Sequence, residues 1–242
     1  MNSWMKSSVR RLIRAFGYDL RKYRPYDDSF HRLRFSLQRR EVTLILDVGA
    51  NIGQFARTIR NVGYRGRIIS FEPLSDAHAK LLVAARHDPL WIVAPRCGLG
   101  SRPGKVRINI AANSQSSSIL NMLERHVSGD PESAYIGGET IVMTTLDDFL
   151  AGERDLTMSQ MALKIDTQGY EAEVLAGLHK WSNNVEVIVI EMSLAALYEG
   201  ETKFLDLYRA IEDRGYHCIS IERGFTDPRT YEVLQVDAIF ER

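Results

Sequence analysis

An aliphatic, β-branched run at residues 42–48 stops at a glycine, and helical spacing resumes a few residues later. The junction reads Asp47-Val48-Gly49-Ala50-Asn51-Ile52-Gly53. A strand that feeds a helix through a glycine turn is the first half of a parallel βαβ unit, and no other feature constrains the fold as much. The pattern recurs. Further buried strands are predicted at 67–71, 90–94, 161–166 and 185–191, and helices at 53–62, 75–86, 171–181 and 203–214. Ser75 and Thr145 are candidate helix caps, and Gly215 is a natural left-handed stop. Right-handed crossovers place such helices on both faces of a mostly parallel sheet, so a Rossmann-like α/β fold is expected. Strands predicted at 217–222 and 232–241 are joined by too short a link for a helical crossover. They should pair antiparallel and give the sheet a mixed edge. Strands are also predicted at 106–110 and 140–144, and residues 121–139 read as a turn-rich insertion able to cover a site.

The 242 residues are 45% hydrophobic and 26% charged, which suits one soluble core. No apolar stretch approaches the roughly 20 residues of a membrane-spanning helix. The charged N-terminus has no secretory pattern, so a cytoplasmic setting is expected. Cys97 and Cys218 lie far apart, and the six histidines form no ligand pair, so no metal centre is expected from spacing. Net charge is zero but uneven: residues 1–40 hold eleven Lys/Arg against three Asp, leaving +8 there and −8 in the rest. Met5, Val9, Leu12, Ile13 and Phe16 recur at helical spacing among the arginines. This basic amphipathic helix either docks on the core or makes peripheral contact with the inner face of an anionic membrane. Residues 1–40 are therefore read as a basic helical extension and 41–242 as the catalytic domain. No nucleic-acid partner is expected, because the body is acidic and carries no recognition motif.

Gly49 permits the tight turn and Gly53 a close helix approach, while Glu72, followed by Pro73, ends the next strand nineteen residues on. A carboxylate there can accept from both ribose hydroxyls of an adenosine-bearing ligand. Asn51 stands where a dinucleotide fingerprint needs its middle glycine, and no P-loop is present. Asp47 is unhelpful beside phosphates but suits the cationic end of S-adenosyl-L-methionine. Asp47, Gly49, Asn51, Gly53, Glu72 and Pro73 are the candidate cofactor residues.

With these blocks the sequence resembles the FkbM family of S-adenosylmethionine-dependent O-methyltransferases. The resemblance also rests on Thr145-Leu146-Asp147-Asp148-Phe149, Leu163-Lys164-Ile165-Asp166-Thr167-Gln168-Gly169-Tyr170-Glu171, Val189-Ile190-Glu191 and Asp237-Ala238-Ile239-Phe240. It implies a seven-stranded class I methyltransferase sheet. It also implies methyl transfer to a hydroxyl, often on a sugar in a glycolipid, a polysaccharide or another secondary metabolite.

Lys164 and Asp166 share a strand face at the C-terminal strand end, where ligands bind in open α/β sheets. Asp166 is the candidate base, with Lys164 as its cationic neighbour or a contact to the acceptor. Glu171 and Glu191 are placed to join them. Asp166, Glu171 and Glu191 are also oxygen ligands suited to a divalent cation, although chemistry without metal is preferred. A non-sugar acceptor and a non-catalytic cofactor-binding regulator are the rival readings.

Overall fold

The computed structural model describes residues 3–19, 22–153 and 159–242, with side chains from Ser7 onward. Five strands run parallel: β1 (Leu44–Val48), β2 (Arg67–Phe71), β3 (Trp91–Val93), β7 (Met161–Ile165) and β8 (Val185–Ser193). With β9 (His217–Arg223) and β10 (Gln235–Glu241) they form a seven-stranded sheet in the order β3-β2-β1-β7-β8-β10-β9. The expected antiparallel pairing is present, and β10 is the reversed strand, hydrogen-bonded to both β8 and β9. Its reversal follows from the short return out of β9.

Side chains alternate across each strand. Leu44, Leu46 and Val48 of β1 face α6 (Leu146–Gly152), α7 (Glu171–Ala176) and α8 (Phe204–Glu212). Ile45 faces α2 (Ser29–Arg39), α3 (Gln54–Asn61) and α4 (Ser75–Ala85) on the other side. Each face is thus closed by helices, and the parallel strands need no polar alternation.

The strands expected at 106–110 and 140–144 lie outside the main sheet. They belong to β5 (Gly104–Ala111) and β6 (Tyr135–Thr144), which pair antiparallel and, with β4 (Gly98–Leu99), make a second sheet of three strands. The insertion at 121–139 holds α5 (Glu124–Gly129) and the start of β6. Thr145 caps α6, its hydroxyl accepting from the Asp148 N–H at 3.0 Å. Ser75 is not a cap: Leu74 holds that position, and the Ser75 N–H donates to Glu139 at 2.7 Å. The helix expected over 171–181 stops at Ala176, and the N–H groups of His179 and Lys180 donate to the Asp147 carboxylate instead.

The basic extension divides in two. α2 is capped by Asp28, which accepts from the His31 N–H at 2.9 Å, and it buries Leu33 and Leu37 against the sheet. Its arginines find the acidic body: Arg32 pairs with Glu222, Arg39 with Glu241, and Arg40 with Glu186 and Glu241. α1 (Ser3–Ala15) behaves differently. Val9, Leu12 and Phe16 are exposed and Ile13 is only partly covered, so the stripe is not docked on the core. The Met5 side chain lies outside the described part. Among the described residues, no helix is long and apolar enough to cross a membrane.

Candidate active site

The C-terminal ends of β1, β2, β7 and β8, with the N-terminal half of the antiparallel β10, open into a cavity of about 470 Å³, lined in part by Ser29, Phe30 and Leu33 of α2. One end lies at the β1–α3 turn. Gly49 has φ +74°, Asn51 φ +47° and Gly53 φ +87°. At Gly49 a Cβ would stand 1.8 Å from the Asp166 carbonyl oxygen, so the turn packs directly on the end of β7. At Gly53 a Cβ would meet the Trp91 ring at 2.6 Å, which explains the close approach of α3 to β3. Gly53 itself does not line the cavity, whereas Gly49, Asn51, Glu72 and Pro73 do.

Glu72 closes this turn from β2. One carboxylate oxygen accepts the Asn51 N–H at 2.8 Å and the other the Leu74 N–H at 2.9 Å. Each oxygen has two acceptor sites, so both retain capacity toward a ligand. Burial raises the Glu72 pKa to about 7, and the two backbone bonds only partly offset it. Asn51 also donates to the Ser114 hydroxyl at 3.2 Å, drawing the polar loop at 113–118 over the site.

Asp47, expected to face a cofactor's cationic end, lies beneath the cavity wall instead. Because residues alternate, it shares the face of Ile45 rather than that of Val48, and it is fully buried. It accepts from the Ser70 hydroxyl at 2.9 Å and sits 3.5 Å from Lys164 Nζ. Register places Lys164 directly beside Asp47, and Asp237 directly beside Glu191. Lys164 reaches the wall from below, donating to the Gly49 carbonyl at 3.0 Å and lying 3.5 Å from Asp166. Burial alone would lower its pKa, but the carboxylates of Asp166, Asp47 and Glu191 outweigh that and raise it. Lys164 therefore acts as a fixed cation that ties the glycine turn to both aspartates.

At the other end stand Asp166, Glu191, Asp237 and Glu222. Asp166, its side chain 39% exposed, and Asp237 are the accessible ones. Gln168, in the left-handed region at φ +56°, donates its amide to Asp166 at 2.8 Å and to Glu191 at 2.6 Å. The buried Tyr198 hydroxyl donates to the Gln168 carbonyl oxygen at 2.7 Å and fixes that amide's orientation. Gln235 supplies a second donor to Glu191 at 2.8 Å. Burial, with Asp166 and Asp237 as negative neighbours, pushes Glu191 well above the usual carboxylate range. Desolvation by its surroundings, with the Asp166 charge, lifts the exposed Asp237 to about 6.

Glu171 does not line the cavity. Its carboxylate accepts the Thr167 and Gly169 N–H groups at 2.9 and 3.1 Å and so shapes the loop that carries Gln168. Burial raises it to about 7. Asp166, Glu171 and Glu191 accordingly do not converge as a ligand set, and no such group is found among the described residues. Sequence reasoning missed Gln168, Tyr198, Gln235 and the first turn of α2. Gln168 alone carried a signal, as the polar residue between Asp166 and Gly169.

The profile of the methyltransferase FkbM domain matches residues 47–218. The chain is 26% identical over 181 residues to the hexuronic acid methyltransferase AglP of Haloferax volcanii, a match that covers 72% of this chain and 66% of that protein. It is 26% identical over 218 residues to the 2-O-methyltransferase NoeI of Sinorhizobium fredii, covering 85% and 86% of the two chains. The crystal structure of Methyltransferase FkbM from Methylobacillus flagellatus shares the fold, with a TM-score of 0.51 at 17% identity. That alignment covers 83% of this chain and 44% of the other, so this chain spans under half of the solved protein.

Proposed function

The chain belongs to the FkbM methyltransferase family, and from that premise we propose that it moves a methyl group from S-adenosyl-L-methionine to a hydroxyl of a sugar in a glycolipid or polysaccharide. The observation that carries this reading is one cavity with two chemically distinct ends. The Glu72 end suits an adenosine: two carboxylate oxygens for ribose hydroxyls, with Leu74, Leu99, Ile108 and Ile141 nearby as apolar lining for a flat base. The Asp166 end suits a hydroxyl acceptor, because a partly exposed carboxylate held on a rigid strand can take its proton. When bound, the cofactor supplies a methyl group activated by its sulfonium. Gly49, Asn51 and Glu72 orient that ligand, and Asp166 accepts the acceptor's proton. Phe30 and the second sheet help to keep water out.

Two relatives' names, a hexuronic acid methyltransferase and a 2-O-methyltransferase, support a sugar hydroxyl. The four carboxylates at the acceptor end favour a neutral sugar over an anionic one. Incubation with methyl-labelled cofactor and either neutral glycosides and glycolipids or uronic acids, followed by mass spectrometry, should place the label on a hydroxyl of a neutral sugar. Label on nitrogen or on a carboxylate would overturn the reading. Cofactor binding without transfer to any hydroxyl would favour a non-catalytic regulator.

Glu72→Ala should weaken S-adenosyl-L-methionine and its demethylated product by about 10–100-fold, the scale of hydrogen bonds to a charged group. An ionised carboxylate is acceptor-only, and Glu72 ionises near pH 7. Wild-type affinity should therefore rise by up to about tenfold from pH 6 to pH 8, and the mutant should lose this slope. Calorimetry showing NAD bound in place of either ligand would contradict the cofactor assignment.

A further inference from the structure

α1 is an amphipathic helix whose apolar side, among the described residues, is largely exposed. On a helical pitch, Val9, Leu12, Ile13 and Phe16 fall within a sector of about 100°, and Arg10, Arg11 and Arg14 occupy the opposite side. Leu12 is 63% exposed and Phe16 75%. Tyr18, Tyr23 and Tyr26 follow, all exposed. Isolated apolar residues on a surface need no explanation, but a helical stripe backed by arginines and trailed by tyrosines has the composition of an interfacial helix.

Charge decides among the occupants. Residues 1–28 carry seven Lys/Arg against three Asp, whereas residues 41–242 carry a net charge of −8. The arginines Arg32, Arg39 and Arg40 meet the body's carboxylates through α2, while in α1 Arg10 and Arg11 are exposed and Arg14 pairs locally with Asp19 at 3.0 Å. A second α1 would meet it with like charges. A negatively charged bilayer complements both the arginines and the apolar sector.

We propose that α1 docks on an anionic lipid bilayer, with Val9, Leu12, Ile13 and Phe16 at the acyl boundary and Arg10, Arg11 and Arg14 among the headgroups. Such docking also has a consequence for access. The first turn of α2, which follows α1 in the chain, lines the cavity through Ser29 and Phe30, so a bilayer-bound α1 keeps the acceptor end near the lipid surface.

The test uses the full chain sedimented with phosphatidylcholine vesicles with or without about 30% phosphatidylglycerol, a composition chosen to supply negative surface charge. Wild type should bind the anionic vesicles. Binding should fall by at least about tenfold for Leu12→Asp with Phe16→Asp, and similarly for Arg11→Glu with Arg14→Glu or on neutral vesicles. Melting temperature and turnover of a soluble acceptor should be unchanged in both double variants. Failure of wild type to bind, or equal binding by the Leu12/Phe16 variant, would overturn the proposal. So would a lower melting temperature, or loss of a lipid-free dimer, in that variant, since each would show that protein covers the stripe.

Discussion

Asp166→Asn is expected to leave folding and cofactor affinity intact while lowering turnover by about 10²–10⁴-fold, the scale of a lost general base. The substitution preserves size, and the Asn carbonyl oxygen can still accept from Gln168, which now bonds Asp166 at 2.8 Å. What disappears is proton acceptance and the 3.5 Å approach to Lys164. A sugar hydroxyl is a weak nucleophile until its proton begins to leave, whereas the sulfonium already provides a good leaving group. Base assistance therefore matters chiefly on the acceptor side. Two neighbouring carboxyls are poor substitutes, whereas the exposed Asp237 is the next candidate. Glu191 is held well above the usual range by burial and by Asp166 and Asp237, and it already accepts from Gln168 and Gln235. Glu171 turns one carboxylate oxygen to loop amides and does not line the cavity. Single-turnover rates at saturating acceptor check this. A near wild-type rate would place the base elsewhere, and lost cofactor binding would assign Asp166 to the cofactor end.

Gly49→Ala is expected to be the most disruptive small substitution in the site. Two effects combine: φ is +74°, where a side chain is strained, and the new methyl group would lie 1.8 Å from the Asp166 carbonyl oxygen. That oxygen belongs to backbone at the end of β7, not to a side chain able to swing aside, so β1 and β7 must separate or the turn must refold. A destabilisation of about 3–5 kcal/mol follows, which is a melting-temperature loss of roughly 6–20 °C for a chain of this size. The same displacement moves the turn that faces Glu72, and cofactor affinity should fall with it. Gly137→Ala is the control, since nothing stands within 4 Å of its added Cβ. A Gly49→Ala protein that melts within about 2 °C of wild type and binds cofactor normally would refute the packing argument.

Much of the architecture was legible because it is written in short-range patterns. Alternating aliphatic strands and amphipathic helices specify a helix-covered sheet, and Gly49, Glu72 and the Thr145 cap are local chemistry that tertiary contacts did not override. The positions of Lys164 and Asp166 at a strand end were equally readable, since alternation fixes which residues share a face.

Which charges meet which was not written locally. Asp47 is buried beneath the cavity because register sets it beside Lys164 and next to Ser70. Glu171 turned inward to loop amides, and Glu191 met Asp237 only because β10 returns antiparallel against β8. Strands β5 and β6 left the main sheet to pair with each other. α2 docked through Leu33 and Leu37 while α1, with a similar pattern, did not. Composition and periodicity determine which segments become strands and helices and which faces are apolar. Register, crossover direction and the competition for buried surface decide which carboxylates share a donor and which stay open to the cavity.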